Sequence, residues 1–136
     1  MPSNDKKINY DTPILLVDDD NFYRRLIRTS LTGLGFHQIG EAESGENAID
    51  YLKHHKCKLL IIDVQMPGIN GIELLLKIRA GETDAPRDIP IIILTSFSET
   101  EVLQKSIQLD VNGFMIKPTS PKIMLKKLHS AFTVPF

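Results

Sequence analysis

Leu59-Leu60-Ile61-Ile62-Asp63-Val64-Gln65-Met66-Pro67-Gly68-Ile69-Asn70-Gly71 is the stretch on which the fold turns. Four apolar residues in a row, closed by a turn rich in Pro, Gly and Asn, have the pattern of a strand buried on both faces. Asp63 stands where that strand surfaces at its C-terminal end. In open α/β sheets this edge is the crevice where ligands bind and chemistry is done, which makes Asp63 a candidate working group. Taken alone, an aspartate here would more commonly be a turn or helix-capping residue.

Working outward, four further apolar runs read as strands: residues 14–17, 91–94 and 114–116, and more weakly 38–42. Helical spacing fills the gaps. Phe22, Leu26, Ser30 and Leu34 keep one face, with Leu31 beside them and Gly33 and Gly35 at the end. Ala48, Ile49 and Leu52 follow Ser44, an N-cap type. A third helix starts near Gly71, turns Ile72, Leu75 and Ile78 inward, and ends at Ala80 and Gly81. Residues 82–88, polar and containing Pro86, read as a mobile surface loop. Ser98 and Glu101 have capping-box spacing ahead of Val102, Leu103 and Ile107, which predicts a fourth helix. Ser120 as N-cap with Pro121 at the first helical position opens a fifth, burying Met124, Leu128 and Ala131 or Phe132. Strand then helix, five times over, predicts a flavodoxin-like α/β fold: a five-stranded parallel sheet, most simply ordered 2-1-3-4-5, with five helices on both faces. Residues 13–133 make one domain, between a polar N-terminal tail, 1–12, and a short C-terminal tail, 134–136.

Composition narrows the function classes. The chain of 136 residues has 16 Lys plus Arg against 17 Asp plus Glu, so its net charge of −1 gives no bulk attraction to nucleic acid or anionic membrane. Cys57 is the only cysteine, which excludes an internal disulfide and disfavours a structural zinc site. With no signal-like N-terminus and no membrane-length apolar run, the expectation is a cytoplasmic protein in a reducing setting, with no direct nucleic-acid or membrane partner.

A parallel sheet brings all C-terminal strand ends to one edge. The first strand delivers Asp18, Asp19 and Asp20, the third Asp63, the fourth Thr95 and Ser96, and the fifth Lys117 ahead of Pro118. Carboxylates gathered this closely repel and raise one another's pKa unless a cation joins them. Only oxygen donors are offered, which favours Mg²⁺ over zinc, and Mg²⁺ keeps positions open for phosphate oxygens. His37, His54, His55 and His129 show no ligand spacing and carry no assigned role.

Four motifs stand in order at these strand ends: Val17-Asp18-Asp19, Asp63-x-x-Met66-Pro67-Gly68-x-x-Gly71, Thr95-Ser96 and Lys117-Pro118. With them the chain resembles, from about Ile14 to Phe132, the receiver domain of two-component response regulators, similar to the single-domain chemotaxis regulators. The resemblance implies that Asp63 takes a phosphoryl group from a sensor histidine kinase or a histidine phosphotransfer protein. It implies Mg²⁺ held directly by Asp19 and Asp63, by Asp18 through water, and by the Gln65 backbone carbonyl. Lys117 and the Thr95 hydroxyl would contact phosphoryl oxygens, and small Ser96 would keep the entry open. Thr95 and Phe114 would form the switch. The face of the fourth helix, fifth strand and fifth helix, with Lys105, Lys122, Lys126 and Lys127, would speak to a downstream protein or an output domain, and a homodimer could form there. On this reading the chain is no enzyme beyond its own phosphorylation and dephosphorylation.

The chain departs from the commonest pattern of the family at three places. Phe114 lacks the hydroxyl of the tyrosine often found there. Phe97 puts an apolar ring where a polar group could orient the hydrolytic water, and Gln65 offers an amide but no base, so slow self-dephosphorylation is expected. Two other functions compete. Asp18-x-Asp20 after a strand resembles the nucleophile motif of Mg²⁺-dependent haloacid-dehalogenase-like phosphatases, although Phe22 stands where that motif has Thr or Val. A pseudo-receiver would keep the fold as a binding module without phosphorylation.

Overall fold

The computed structural model describes residues 8–64, 66, 68–95, 111–117 and 119–133, apart from the side chains of 132 and 133. Five strands, β1 (Ile14–Val17), β2 (Ile39–Ala42), β3 (Leu59–Asp63), β4 (Ile91–Thr95) and β5 (Gly113–Ile116), alternate with helices α1 (Asn21–Leu34), α2 (Gly45–His54), α3 (Gly71–Arg79) and α4 (Pro121–Thr133). Every pairing is parallel and the order is β2-β1-β3-β4-β5, as the crossover rule predicts. Four helices, not five, lie among the described residues. The one expected to start near Ser98 falls at 96–110, outside them, and α4 is therefore the helix expected as the fifth.

The central strands are apolar up to the polar residues that end β3 and β4, Asp63 and Thr95, because both faces are covered. Leu15, Val17, Leu60, Ile62, Ile91 and Ile93 pack with Ala48 and Leu52 of α2 and Leu74, Leu75 and Ile78 of α3. On the other face Ile14, Leu16, Leu59, Ile61, Ile92, Leu94 and Met115 meet Ile27 and Leu31 of α1 and Met124, Leu128 and Ala131 of α4. Each such side chain, fully withdrawn from water, contributes about 1.5–3 kcal/mol before conformational entropy is set against it. Caps fix the helix starts. Asp20 accepts from the Phe22 and Tyr23 N–H groups at 3.0 and 3.2 Å, Ser44 from Asn47 at 3.0 Å, and Ser120 from Ile123 at 3.2 Å. Asn70 and Glu73 form a capping box at the start of α3. No helix among the described residues is long and apolar enough to cross a membrane.

One expectation is corrected and two gain detail. Phe22 and Leu26 face outward, 72% and 47% exposed, and Ser30 is half-buried, while Ile27 and Leu31 are the buried residues of α1. Asp20 caps the start of the helix, and the longer apolar row of Tyr23, Ile27, Leu31 and Leu34 lies on the sheet. Residues 82–88 are mostly exposed, as a surface loop is, and they are also anchored: Ala85 and the adjoining Ile89 are buried, and one Arg79 guanidinium nitrogen donates to the Arg87 and Ile89 carbonyls at 2.7 and 2.8 Å. Part of the expected N-terminal tail is seated as well. Tyr10 packs on buried Phe36 with ring centroids 4.9 Å apart, and Thr12 is buried.

Candidate functional site

The register sets which groups meet at the C-terminal edge. Val17 pairs with Ile62, Asp63 with Leu94, and Thr95 with Ile116, so Asp18 and Asp63 stand level, Thr95 lies one residue further along its strand, and Lys117 follows the partner of Thr95, all at one edge of the sheet. The edge is held by continued backbone pairing: the Asp18 N–H donates to the Ala42 carbonyl at 3.1 Å and the Lys117 N–H to the Thr95 carbonyl at 2.8 Å. Gly71 closes the site from α3. Its N–H donates to the Val64 carbonyl at 3.0 Å, and a Cβ there would stand 2.2 Å from the Asp63 carbonyl oxygen. Only glycine lets the helix start lie against the strand end in this way.

Asp18 and Asp63 are buried, at 1% and 6% exposure, and Asp19 is exposed. Carboxylate oxygens of the three lie within 4.8 Å of one another. Lys117 Nζ reaches between the buried pair, 3.2 Å from Asp18 Oδ2 and 3.1 Å from Asp63 Oδ1. Asp18 Oδ1 accepts the Asp20 N–H at 3.0 Å, whereas Oδ2, buried, has the ammonium nearby but no hydrogen bond of good geometry. The ammonium thus pairs with two of the three carboxylates of the cluster, Asp18 and Asp63. Burial first, and then the Asp18 charge, push the Asp63 acid up from 3.8 to about 7 against the opposing pull of Lys117. Burial lowers the Lys117 pKa, but Asp63 and Asp18 outweigh it and the net shift is upward. An oxygen-only donor set with excess negative charge and one poorly satisfied buried oxygen fits a small, hard divalent cation.

Asp20 is the cap of α1 and is not in the cluster. Thr95 is buried at the end of β4. Phe114 is half-buried and packs against the α2–α3 side of the core. Gln65, Ser96, Phe97, Lys105 and Pro118 lie outside the described residues.

Four residues around the site carry no signal in the sequence. Arg24 donates from Nε to Glu41 at 2.7 Å and from another guanidinium nitrogen to the Asp18 carbonyl, and Arg28 adds a 2.7 Å pair to the same Glu41. Burial raises the Glu41 pKa, but the two arginines outweigh it and hold the acid below its usual value. Tyr23 lies beside Lys117, with Nζ 4.5 Å from the ring centroid. None of these contacts follows from spacing, since each joins residues on different elements.

The model of the response regulator receiver domain family matches residues 14–129. The chain is 38% identical over 117 residues to a chemotaxis protein CheY homolog of Campylobacter jejuni, covering 85% of this chain and 88% of the relative. It is 34% identical over 125 residues to chemotaxis protein CheY-3 of Vibrio cholerae, covering 92% and 95%. Among solved structures, Vibrio cholerae chemotaxis protein CheY4 superposes with a TM-score of 0.79 at 26% identity, over 89% of this chain and 98% of that one. A match over nearly the whole described fold, joined to an acidic cluster and lysine at the expected strand ends, decides the assignment: the chain belongs to the response regulator receiver domain family.

Proposed function

We propose that residues 13–133 form a receiver unit in which Asp63 accepts a phosphoryl group from a phosphohistidine of a sensor histidine kinase or phosphotransfer protein. A carboxylate oxygen of Asp63 forms the new P–O bond, and the P–N bond breaks with its electron pair leaving on the imidazole nitrogen, which then takes a proton. The carrying observation is the Lys117 ammonium set between Asp18 and Asp63 at 3.2 and 3.1 Å. A carboxylate approaching a phosphoryl anion needs preorganised positive charge at the equatorial oxygens, and Lys117 is placed to supply part of it. Asp18, Asp19, Asp63 and the Gln65 carbonyl are the residues that would hold Mg²⁺. When bound, Mg²⁺ supplies the remaining neutralisation of phosphoryl charge. Thr95 donates its hydroxyl to a phosphoryl oxygen, and Ser96 leaves the approach open.

Receiver domains are signalling proteins, and on this reading the chain catalyses only its own phosphorylation and dephosphorylation, in the cytoplasm. The aspartyl phosphate adds about −1.5 to −2 charge at the sheet edge. Thr95 and Phe114 carry that change to the face of β5, α4 and the segment between β4 and β5. A downstream protein, an output domain or a second copy reads it there. Phe97 and Gln65, lacking a base for the hydrolytic water, give a long-lived phosphoprotein. Phe97→Glu is expected to shorten that lifetime in a phosphate-release assay, and an unchanged lifetime would remove the argument.

The test is incubation with acetyl phosphate and Mg²⁺, followed by intact mass and peptide mapping. Gain of one phosphoryl group on Asp63 is expected. Family membership does not favour the alternatives, but the same experiment separates them. A label on Asp18 would point to phosphatase-like chemistry, and no gain with the fold intact would point to a binding module.

A further inference from the structure

The Lys117 ammonium has a third neighbour besides the two carboxylates. Its Nζ lies 4.5 Å from the centroid of the Tyr23 ring. That ring is fixed at both ends. At its base the Tyr23 N–H donates to the Asp20 cap at 3.2 Å, in the first turn of α1. At its tip the phenol oxygen accepts the Thr119 N–H at 3.1 Å, two residues beyond Lys117. Tyr23 therefore spans from the helix that follows the Asp18–Asp19 turn to the chain that leaves β5, and Lys117 sits on the span.

We propose that Tyr23 is a positioning residue for phosphoryl capture, holding the Lys117 ammonium between Asp18 and Asp63 by the face of its ring. The inference rests on Lys117 being the phosphoryl-binding cation. Lysine carries a flexible four-carbon stem and a compact charge, so a lysine that must meet an incoming oxygen gains from a wall that narrows its rotamers. An aromatic face provides that wall without neutralising the charge, because the ring quadrupole attracts the cation but offers no proton acceptor that would compete with a phosphoryl oxygen. The hydroxyl anchor on Thr119 keeps the ring in place and ties its position to the backbone that carries Lys117. Tyr23 touches neither carboxylate nor phosphoryl group in this scheme and acts through Lys117 alone.

The experiment is a titration of the wild-type protein, Tyr23→Met and Tyr23→Phe with Mg²⁺ and, at saturating Mg²⁺, with beryllofluoride as the phosphoryl mimic. The set is repeated in a Lys117→Met background. Met fills the space flexibly but offers no ring face. Tyr23→Met is expected to weaken beryllofluoride binding by about three- to thirtyfold, the span of a partly desolvated cation–ring contact, with Mg²⁺ affinity unchanged. Tyr23→Phe, which keeps the ring but loses the hydroxyl anchor on Thr119, should lose less than Tyr23→Met, and in the Lys117→Met background Tyr23→Met should cost nothing further. Tyr23→Leu carries the same expectation should the methionine variant fail to fold. Wild-type affinity in the ringless variants would overturn the inference. So would an equal loss in Tyr23→Phe, a parallel loss of Mg²⁺ affinity, or a loss that persists without Lys117. Wild-type protein that takes no beryllofluoride at all would overturn the phosphoacceptor reading, and this one with it.

Discussion

Two charged clusters share the end of β1, and they are balanced in opposite senses. On one side of Asp18, its backbone carbonyl and Glu41 are gripped by Arg24, with Arg28 on Glu41 as well, so two guanidinium groups serve one carboxylate. On the other side, its carboxylate joins Asp19 and Asp63 in an acidic cluster, with the Lys117 ammonium on Asp18 and Asp63. In the first cluster the acid is held below its usual pKa, and in the second Asp63 is driven up to about 7. The first is complete as folded, whereas the second is short of positive charge and is stabilised by whatever cation binds the folded state. Sites that work tend to hold such imbalance while structural clusters resolve it.

The largest effect that could break this contrast is on phosphorylation. Asp63→Asn is expected to abolish phosphoryl uptake from acetyl phosphate, read by intact mass, while the fold persists by circular dichroism. Arg24→Met should leave the acidic cluster's side chains in place but cost about 2–3 kcal/mol in urea unfolding, the scale of losing hydrogen bonds from a largely buried charged group. If it cost nothing, the arginine cluster would have no structural claim.

The pH dependence sharpens the contrast further. The folded-state pKa of Asp63 is raised, so its contribution to stability is fully present below 3.8 and is lost as pH rises through about 7. Without divalent cation, unfolding free energy should therefore fall by roughly 1–3 kcal/mol from this group between pH 4 and 8, and Asp63→Asn should flatten the slope. Added Mg²⁺ should restore stability to the wild type at high pH. Glu41 has the opposite sign: its pKa is lowered, so its contribution is present above 4.5 and fades as pH falls. The smallest expected effect is that of Arg28→Met, whose side chain is 45% exposed, at about 0.2–1 kcal/mol in the same unfolding assay.

The strands and the acidic edge were legible in the sequence because a buried parallel strand must be apolar throughout, and its end is marked by the first charged residue. That is how Asp18, Asp63 and Lys117 could be brought together before any coordinates. Orientation was less legible. Phe22 and Leu26 form a short apolar row that stops at Ser30, whereas Tyr23, Ile27, Leu31 and Leu34 run the length of α1, and the longer row is the one that faces the sheet. Residues 82–88 looked free because polar composition does not reveal that Arg79 of α3 takes their carbonyls. Arg24, Glu41 and Tyr23 were silent for a related reason: their partners depend on the register of β2 on β1 and on where the chain runs after β5.

The backbone bond from the Lys117 N–H to the Thr95 carbonyl, 2.8 Å long, has a mechanical meaning. It yokes the two strand ends that carry the hydroxyl and the ammonium, so neither can shift along the sheet without dragging the other. On the α3 side Gly71 is wedged against the Asp63 carbonyl with no room for a methyl group and leaves no slack. The sheet edge is thus packed without slack where β3 meets α3 and tied across by backbone bonds from β3 to β4 and from β4 to β5.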